Sequence, residues 1–453
     1  MQQQEVQAKP LSLWHHANFR RLWISDTISQ FGGQFSGFAI PTIAAYVLGA
    51  GPLQVSLVAT MGVIAWPIFA LPVGAWIDQR RRKPIMVVAN IGRAAALAAI
   101  PIAWVLGGGF GFRTSSLGFN PFNIYTLYAV AFTVGLLTVF FDISYQSLLP
   151  SLVERDQLVE GNSKLQISQS TAQVAGPTLA TTAIQLATIP ASPIVCLGDA
   201  IGFSASALFL QQIDKDESIT KVVTEKPSFL RQIWDGLLVV FRDSRLTTIA
   251  ASTATSNLFS GAIFPLIFLF ARDDLKLGET TAVGVIGIAG SIGGIGGLLG
   301  AATAGRLGRR VGIGRMIILS MFIAEAGGLF LAYNTPTLAT PYLGLFSPFF
   351  IAFFFLASWG SVVYNVNQVS LRQAIVPLKV QGRMNASMRW LVWGTLPAGT
   401  FLGGVLAVVY GLRGAITIAA FGGLLAGVWV LLGPVRRLKT IPSMPEEPQT
   451  LTP

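Results

Sequence analysis

Long apolar runs separated by short polar connections cover almost all of the 453 residues. A helix needs about 20 apolar residues to cross the roughly 30 Å of hydrocarbon in a bilayer. The pattern predicts twelve such spans, at residues 23–49, 54–77, 84–107, 122–147, 165–188, 191–212, 246–270, 281–304, 314–333, 343–369, 386–409 and 413–435. We therefore predict an all-α integral membrane protein.

The spans fall into two groups of six on either side of the longest connection. We expect five regions: a tail at 1–22, a six-helix bundle at 23–212, a linker at 213–245, a second six-helix bundle at 246–435 and a disordered tail at 436–453. Within the linker, the stretch SFLRQIWDGLLVVF places its apolar residues at helical spacing. This pattern predicts an amphipathic helix lying at the membrane interface.

Composition narrows the class of protein further. Apolar residues make up 52% of the chain and charged residues 11%, whereas about 25% charge is usual in a soluble domain. Cys196 is the single cysteine, which excludes a disulfide framework or a multi-cysteine metal site. The sequence has no phosphate-binding loop of the ATPase type, and His15 and His16 both precede the first span. We expect no cofactor, no metal site and no enzymatic activity.

The net charge of +11 is distributed in a way that excludes a nucleic-acid partner. Of the 31 cations, 25 lie in the tails and in every second connection, four lie in the other connections, and Arg93 and Arg389 lie inside spans. Cytoplasmic connections of membrane proteins carry an excess of lysine and arginine. We therefore expect a multi-pass protein of the cell (inner) membrane with both termini in the cytoplasm.

The two groups of spans are related by an internal repeat. FSGFAIPTI at 35–43 corresponds to FSGAIFPLI at 259–267, an offset of 224 residues, and Gly176 corresponds to Gly399 at an offset of 223. Parallel repeats of this kind are related by an axis along the membrane normal, with a central site between them. The repeat predicts two like-oriented bundles that rock about that site.

The connection between the second and third spans reads GAWIDQRRRK. Its cations serve as an orientation signal, which does not explain Gly74 four residues before Asp78. With this motif the chain resembles the major facilitator superfamily (MFS), whose loop at this place carries Gly-x-x-x-Asp-Arg-x-Gly-Arg-Arg/Lys. The matching residues are Gly74, Asp78, Arg82 and Lys83. The resemblance implies the twelve-helix MFS fold with a pseudo-two-fold axis. It also implies a cytoplasmic gate in which Asp78 faces the start of the eleventh span.

Longer stretches narrow the resemblance. FFDISYQSLLPSLVERDQLVEGNSKLQ and GRMNASMRWLVWGTLPAGTFLGG are similar to the bacterial siderophore-exporter (enterobactin exporter-like) and macrolide-efflux branch of that superfamily. This implies a secondary transporter that exports a hydrophobic or amphiphilic small molecule, such as a drug, macrolide or siderophore, by proton antiport and alternating access. Its partners would be that substrate, protons and membrane lipid, and it would act as a monomer. A membrane receptor or scaffold that retains the fold without transporting is the alternative.

Polar residues inside the spans are the candidates for the transport site. If the resemblance holds, the first, fourth, seventh and tenth spans line the cavity. Their amides are Gln30, Gln34, Gln146, Asn257, Asn365, Asn367 and Gln368. Such amides orient a polar substrate in an apolar cavity, and they also form hydrogen bonds between helices.

Charges inside a span are costly and usually functional. The candidates for proton coupling or another intramembrane role are Asp26, Arg93, Asp142, Asp199 and Glu325. Their alternative roles are a structural ion pair between Arg93 and Asp142, and structural hydrogen bonds at Asp199 and Glu325. Gly176 and Pro177 loosely resemble an antiporter motif, and a helix kink at a tight contact is the other interpretation.

Overall fold

A computed structural model describes residues 13–77, 80–109, 120–153, 157–214, 229–336, 348–376 and 378–440. These residues form a bundle of helices and contain no β-strand. The chain crosses the bundle twelve times, and we call the crossings spans 1 to 12. This arrangement confirms the predicted all-α fold with twelve helices.

The first six crossings are formed by six separate helices. They are Ala17–Thr42 with a π-helical extension Ile43–Val47 (span 1), Pro52–Ile77 (span 2), Arg82–Leu106 (span 3), Ile124–Leu152 (span 4), Leu158–Ala187 (span 5) and Val195–Gln211 (span 6). Span 4 begins at the cap Asn123, whose side chain accepts hydrogen bonds from two backbone N–H groups and so satisfies free donors of the first turn.

The second half repeats this arrangement with longer elements. Span 7 is the segment Ser244–Asp274, and spans 8, 9 and 10 are the helices Glu279–Val311, Ile313–Ala332 and Pro348–Ile375. Helices Leu378–Trp393 and Thr395–Leu432 together form spans 11 and 12. The chain turns back at Gly411, whose φ of +73° is a conformation that glycine adopts without steric cost.

An even number of crossings returns the chain to the face where it started. We call this the terminal face, because Leu13 and Lys439 both lie there. The two halves share it, and the helix Phe229–Arg242 joins them. In that joining helix Val240 is fully buried, whereas Trp234 and Phe241 are exposed. The helix thus exposes apolar side chains on one side, and its location at the membrane interface stays a prediction.

Nine segments of the described residues are long and apolar enough to cross a membrane. One of them, Met384–Leu432, contains both span 11 and span 12, and the more polar spans 1 and 5 complete the twelve. The polarity of spans 1 and 5 has a structural reason. Serine and threonine hydroxyls of span 1 bond to neighbouring helices, as in the 2.6 Å contact between Ser25 and Ser206.

Close helix packing within each half depends on small residues, as is usual in lipid. A Cβ atom added to Gly135 of span 4 would lie 2.2 Å from the Gly62 carbonyl oxygen of span 2. One added to Gly399 of span 11 would lie 2.1 Å from the Leu258 oxygen of span 7. Backbones therefore touch directly at these crossings within each half.

Candidate functional site

A cavity lies between the two halves and consists of three compartments that meet at Trp393. The first, which we call the chamber, has a volume of about 620 Å³ and is lined by uncharged residues of spans 1, 2, 4, 7 and 11. Its walls include Gly33, Ser36 and Ser260. The chamber has the size and the apolar character of a typical small-molecule site.

The second compartment, the vestibule, has a volume of about 590 Å³ and lies nearer the terminal face. Its polar lining residues come from spans 7, 10 and 11 and are Thr253, Ser256, Asn257, Ser361, Tyr364, Asn365, Gln368, Arg372, Gln373, Asn385 and Arg389. A side pocket of about 370 Å³, which includes Gly74 and Trp66, adjoins it. The vestibule is polar where the chamber is apolar.

The halves touch each other at the face opposite the termini. The Tyr46 hydroxyl donates to the Phe268 carbonyl oxygen at 2.8 Å, and the Thr60 and Thr400 hydroxyls lie 2.8 Å apart. Between spans 5 and 8, the hydroxyls of Thr178 and Ser291 lie 2.7 Å apart. Such contacts run from mid-depth to that face, so the cavity is closed there.

An arginine lies where the vestibule meets the side pocket. The Arg389 guanidinium of span 11 sits 4.6 Å from the centre of the Trp66 ring and 5.4 Å from that of Trp393, within the range of cation–π attraction. It is also attracted electrostatically by Asp142 of span 4. Because Trp66 and Asp142 belong to the first half, this arginine links the two halves at the junction of the compartments.

Three of the seven predicted cavity amides line the vestibule. They are Asn257, Asn365 and Gln368. Asn257 also donates to the Val392 carbonyl oxygen at 2.9 Å, which joins span 7 to span 11. These three residues therefore combine a cavity position with an interhelical hydrogen bond or a neighbouring amide contact.

The other predicted amides lie elsewhere. Asn367 is buried against Gly308 of span 8 and donates to the Val363 carbonyl oxygen, so the expectation that it faces the cavity is wrong. Gln34 packs against Gly176, and Gln30 donates to Asp26 at 3.4 Å. Neither lines the compartments above. The side chain of Gln146 lies outside the described part of the structure.

Of the predicted charges in the first half, Arg93 has an unexpected environment. Its guanidinium lies between the Phe141 and Phe203 rings, at 4.3 and 4.2 Å from their centres, and donates to Asn90. In the described part of the chain no carboxylate oxygen comes within 4 Å of it. Asp142 attracts it only at longer range. The expected direct ion pair between Arg93 and Asp142 is therefore not formed.

Asp199 of span 6 is fully buried, and its Oδ1 lies only 2.4 Å from the position of a Cβ on Gly32 of span 1. Neither carboxylate oxygen has a well-oriented hydrogen-bond partner among the described residues, although Ser36 lies close enough to interact. Ser36 in turn lines the chamber. Only one residue therefore separates this carboxylate from the cavity.

Glu325 of span 9 has a related environment in the second half. It is 8% exposed, accepts a hydrogen bond from Ser256, and lies 2.3 Å from a Cβ position on Gly423 of span 12. At the repeat offset of 224, Ser256 corresponds to Gly32 and Gly423 corresponds to Asp199. Each half thus places one carboxyl group at the equivalent crossing, but from a different span.

Asp26 completes the set of predicted charges. It is buried at 3% exposure, near Gln30 and Tyr145, and it lies within electrostatic reach of Asp142. Neither Asp26 nor Asp142 lines the compartments described above. Asp142 interacts electrostatically with both Asp26 and Arg93, so the three charges form one group within the first half.

The gate motif is only partly visible. Gly74 lines the side pocket, and Lys83 donates to the Ile213 carbonyl oxygen at 2.6 Å, which ties span 3 to the end of span 6. Arg82 begins span 3. Asp78 lies outside the described residues, so its predicted contact with span 11 stays a prediction.

Gly176 and Pro177 both occupy tight contacts of span 5. A Cβ on Gly176 would lie 2.3 Å from the Gln34 side chain, and Pro177 lies 3.1 Å from the Cβ position of Gly290 in span 8. The close-contact interpretation of this pair fits these distances.

Arg372 lines the vestibule, although the predicted tenth span ends at residue 369 and leaves it in a connection. Span 10 continues to Ile375, and Arg372 therefore projects from the helix rather than from a loop. It follows Gln368 by four residues and Asn365 by seven, and residues at these spacings lie on one face of a helix. This spacing in the sequence could have identified Arg372 as a neighbour of the two amides on the same helix face.

The fold and this cavity agree with comparisons to known proteins. The model of the Major Facilitator Superfamily matches residues 22–346, which is more than half of the chain. The chain belongs to the Major Facilitator Superfamily. It is therefore a multi-pass membrane protein of a transporter family.

Individual proteins are similar over nearly the full length. The uncharacterized MFS-type transporter YfiS of Bacillus subtilis (strain 168) is 26% identical over 422 residues, covering 91% of this chain and 92% of that one. A structure of the nucleoside transporter NupG has a TM-score of 0.72 at 13% identity, covering 91% and 99%. A bacterial homologue of the iron transporter ferroportin, in its inward-facing state, has a TM-score of 0.71 at 18% identity, covering 93% and 99%.

Proposed function

We propose that the protein is a proton-coupled exporter of an amphiphilic small molecule that works by alternating access. The observation that carries this proposal is the cavity between the halves, which is closed by direct contacts at one face and leads through the vestibule toward the other. A site enclosed between two like-oriented bundles is what rocking of repeats requires. Export is supported by the resemblance to the siderophore-exporter and macrolide-efflux branch.

The open side of the cavity corresponds to the cytoplasm in this proposal. The terminal face carries the excess of cations, which favours a cytoplasmic location. The ferroportin homologue to which the chain is similar was captured in an inward-facing state. A substrate of the exporter would therefore enter from the cytoplasm in the conformation described above.

Asp199 and Glu325 are the proposed proton carriers. Each is buried beside a small residue, and neither has a cation within 4 Å in the part of the chain that the structure describes. Burying a charged carboxylate without a cation is costly, and access of water lowers that cost. Opening of the opposite face would hydrate these crossings and so reduce the cost.

The gate motif would act in the second conformation, in which the terminal face is closed. When the terminal face closes, Asp78 would approach the start of span 11, as the family resemblance implies. In this proposal substrate enters from the terminal face, which requires the latch to be released in that state. The predicted latch thus belongs to the state in which the cavity opens to the opposite side.

The test is transport by the full chain in proteoliposomes. A panel of fluorescent amphiphiles is supplied outside vesicles with an acidic interior, with and without a protonophore. We expect uptake of at least one compound that the protonophore abolishes. Failure to move any compound would favour a receptor or scaffold, and transport that ignores the protonophore would remove the antiport mechanism.

Variants test the two carriers separately. In Asp199→Asn and Glu325→Gln we expect the pH gradient to lose its effect while downhill flux of the same compound persists, which also shows that the variants fold. Glu160→Gln is the matched control, since Glu160 is exposed and pairs with Lys164 at 3.3 Å. Unchanged coupling in both carrier variants would contradict the assignment.

A further inference from the structure

The vestibule is lined in part by positively charged side chains. Its lining contains Arg372 and Arg389, and no carboxylate belongs to the described lining residues. A cleft with charges of one sign and low-dielectric walls concentrates ions of the opposite sign. The vestibule is therefore suited to an anion.

The two arginines differ in how far they are already engaged. Arg389 stacks on Trp66 and Trp393, whereas Arg372 has no carboxylate within 4 Å among the described residues. The Nε–H group of Arg372 is buried and has no hydrogen-bond partner there. A guanidinium presents a planar set of donors that fits carboxylate, sulfonate and phosphate groups. Arg372 is thus the available donor.

The neighbours of Arg372 leave room for such a partner. The Tyr364 hydroxyl is held by Thr253 at 2.7 Å, and Gln368 donates to Asn365 at 2.7 Å. These bonds engage the Tyr364 hydroxyl and the Gln368 amide nitrogen with other side chains. The guanidinium is then the group that must be satisfied when the vestibule is filled.

The apolar chamber begins where the vestibule ends. Trp393 and Leu396 line both compartments, so one molecule could occupy both. The lining of the chamber is uncharged. A ligand that fits both compartments has an apolar body and a charged head group.

We propose that the transported molecule is an amphiphilic anion, whose carboxylate, sulfonate or phosphate group binds Arg372 in the vestibule while its apolar body enters the chamber. This inference rests on the proposed function and adds the chemical class of its substrate. An inside-negative membrane potential would favour the exit of such an anion. The same chemistry occurs in soluble organic acids and in anionic lipid head groups, which the experiment must separate.

The test is direct binding to the full chain in phosphatidylcholine nanodiscs, measured by equilibrium dialysis. The probes are naphthoate, naphthylmethylammonium and naphthol, which share one apolar body and differ in charge. We expect naphthoate to bind at least about tenfold more tightly than the cation. Loss of one hydrogen bond to a charged group corresponds to about tenfold or more in the dissociation constant, so Arg372→Gln should weaken naphthoate binding by that factor.

Two further variants keep the result interpretable. Arg372→Lys retains the charge and should restore part of the affinity, and naphthol binding should be the same in all variants if they fold. Arg309→Gln removes an exposed arginine of the same face and should change nothing. Equal binding of anion and cation, or naphthoate binding unaffected by Arg372→Gln, would overturn the proposal.

The source of the head group is decided by adding phosphatidylglycerol to the nanodiscs. Competition with naphthoate that requires Arg372 assigns the site to an anionic lipid, and absence of competition assigns it to a soluble acid. Failure of this inference is separable from failure of the transport proposal. Proton-driven flux of a neutral compound without anion binding would refute only the substrate class, and anion binding without proton-driven flux would refute only the transport mechanism.

Discussion

Alternating access can be tested by a single methyl group between spans 5 and 8. A Cβ atom on Gly294 would lie 2.6 Å from the Gln173 carbonyl oxygen and 2.8 Å from the Val174 Cα. Both neighbours are backbone atoms, which cannot rotate away. Since non-bonded carbon atoms prefer about 3.5–4.0 Å, Gly294→Ala requires the two spans to separate by roughly 1 Å in the conformation described above.

The expected effect is a shift between conformations. Overpacking of this kind costs about 1–3 kcal/mol, which corresponds to roughly 5–150-fold in an equilibrium constant. The contacts between spans 5 and 8 run from mid-depth to the face opposite the termini, so opening that face relieves the clash. Gly294→Ala should therefore favour the state in which the cavity opens to the opposite side.

The assay measures labelling of a cysteine in the chamber by a membrane-impermeant maleimide added at either face. Ser260→Cys provides the target in a Cys196→Ala background, since Cys196 is the single native cysteine. We expect Gly294→Ala to slow labelling from the terminal face and to speed it from the opposite face by about fivefold or more. Gly297→Ala is the control, because its Cβ would meet only Val362 at an ordinary 3.6 Å.

Both alanines gain similar helix propensity, up to about 1 kcal/mol relative to glycine, so a difference between them reports the contact with span 5. If Gly294→Ala and Gly297→Ala label alike at both faces, the contact between spans 5 and 8 does not control which side is open. The reasoning about rocking halves would then be wrong.

Two further predictions concern stability. Gly399→Ala should lower the thermal midpoint of the detergent-purified protein, because the new methyl group would lie 2.1 Å from the Leu258 carbonyl oxygen, a backbone atom, and overpacking costs about 1–3 kcal/mol. Gly33→Ala, with nothing within 4 Å, should leave the midpoint unchanged, and equal midpoints of the two variants would contradict the packing. The carboxylate of Asp243 accepts hydrogen bonds from Arg245, which lowers its pKa below the ordinary 3.8, so its contribution to stability is present above that value and is lost as the pH falls through the lowered pKa. Asp243→Ala should therefore lower the thermal midpoint at neutral pH. Loss of a helix cap costs roughly 0.5–2 kcal/mol of stability, and we expect the low end because the group is half-exposed. A difference in midpoint that persists in strong acid would refute this role.

The fold was predictable because apolar runs of span length and alternating charge are properties of the sequence alone. The twelve crossings follow from them. The ends of the spans were less predictable, since hydropathy falls before a helix ends. Span 10 extends to Ile375 instead of ending at 369. Arg372 was therefore predicted to lie in a connection, whereas it lies in the helix and lines the vestibule.

The facing of individual side chains could not be predicted, because it depends on how each helix is rotated against its neighbours. Asn365 and Asn367 are two residues apart, yet one lines the vestibule and the other packs on span 8. Arg93 was expected beside a carboxylate and lies between aromatic rings. The repeat also relates positions in the two halves. At the offset of 224, the crossing of Gly32 with Asp199 corresponds to that of Ser256 with Gly423.

The vestibule is an asymmetric feature of a nearly symmetric molecule. Every residue of its described lining lies between Thr253 and Leu396, so the described walls belong to the second half. A bound head group would then move together with the second half, while the first half moves relative to it. The residues that select the substrate and the contacts that control the motion would lie in different parts of the sequence. One set could then change during evolution without altering the other.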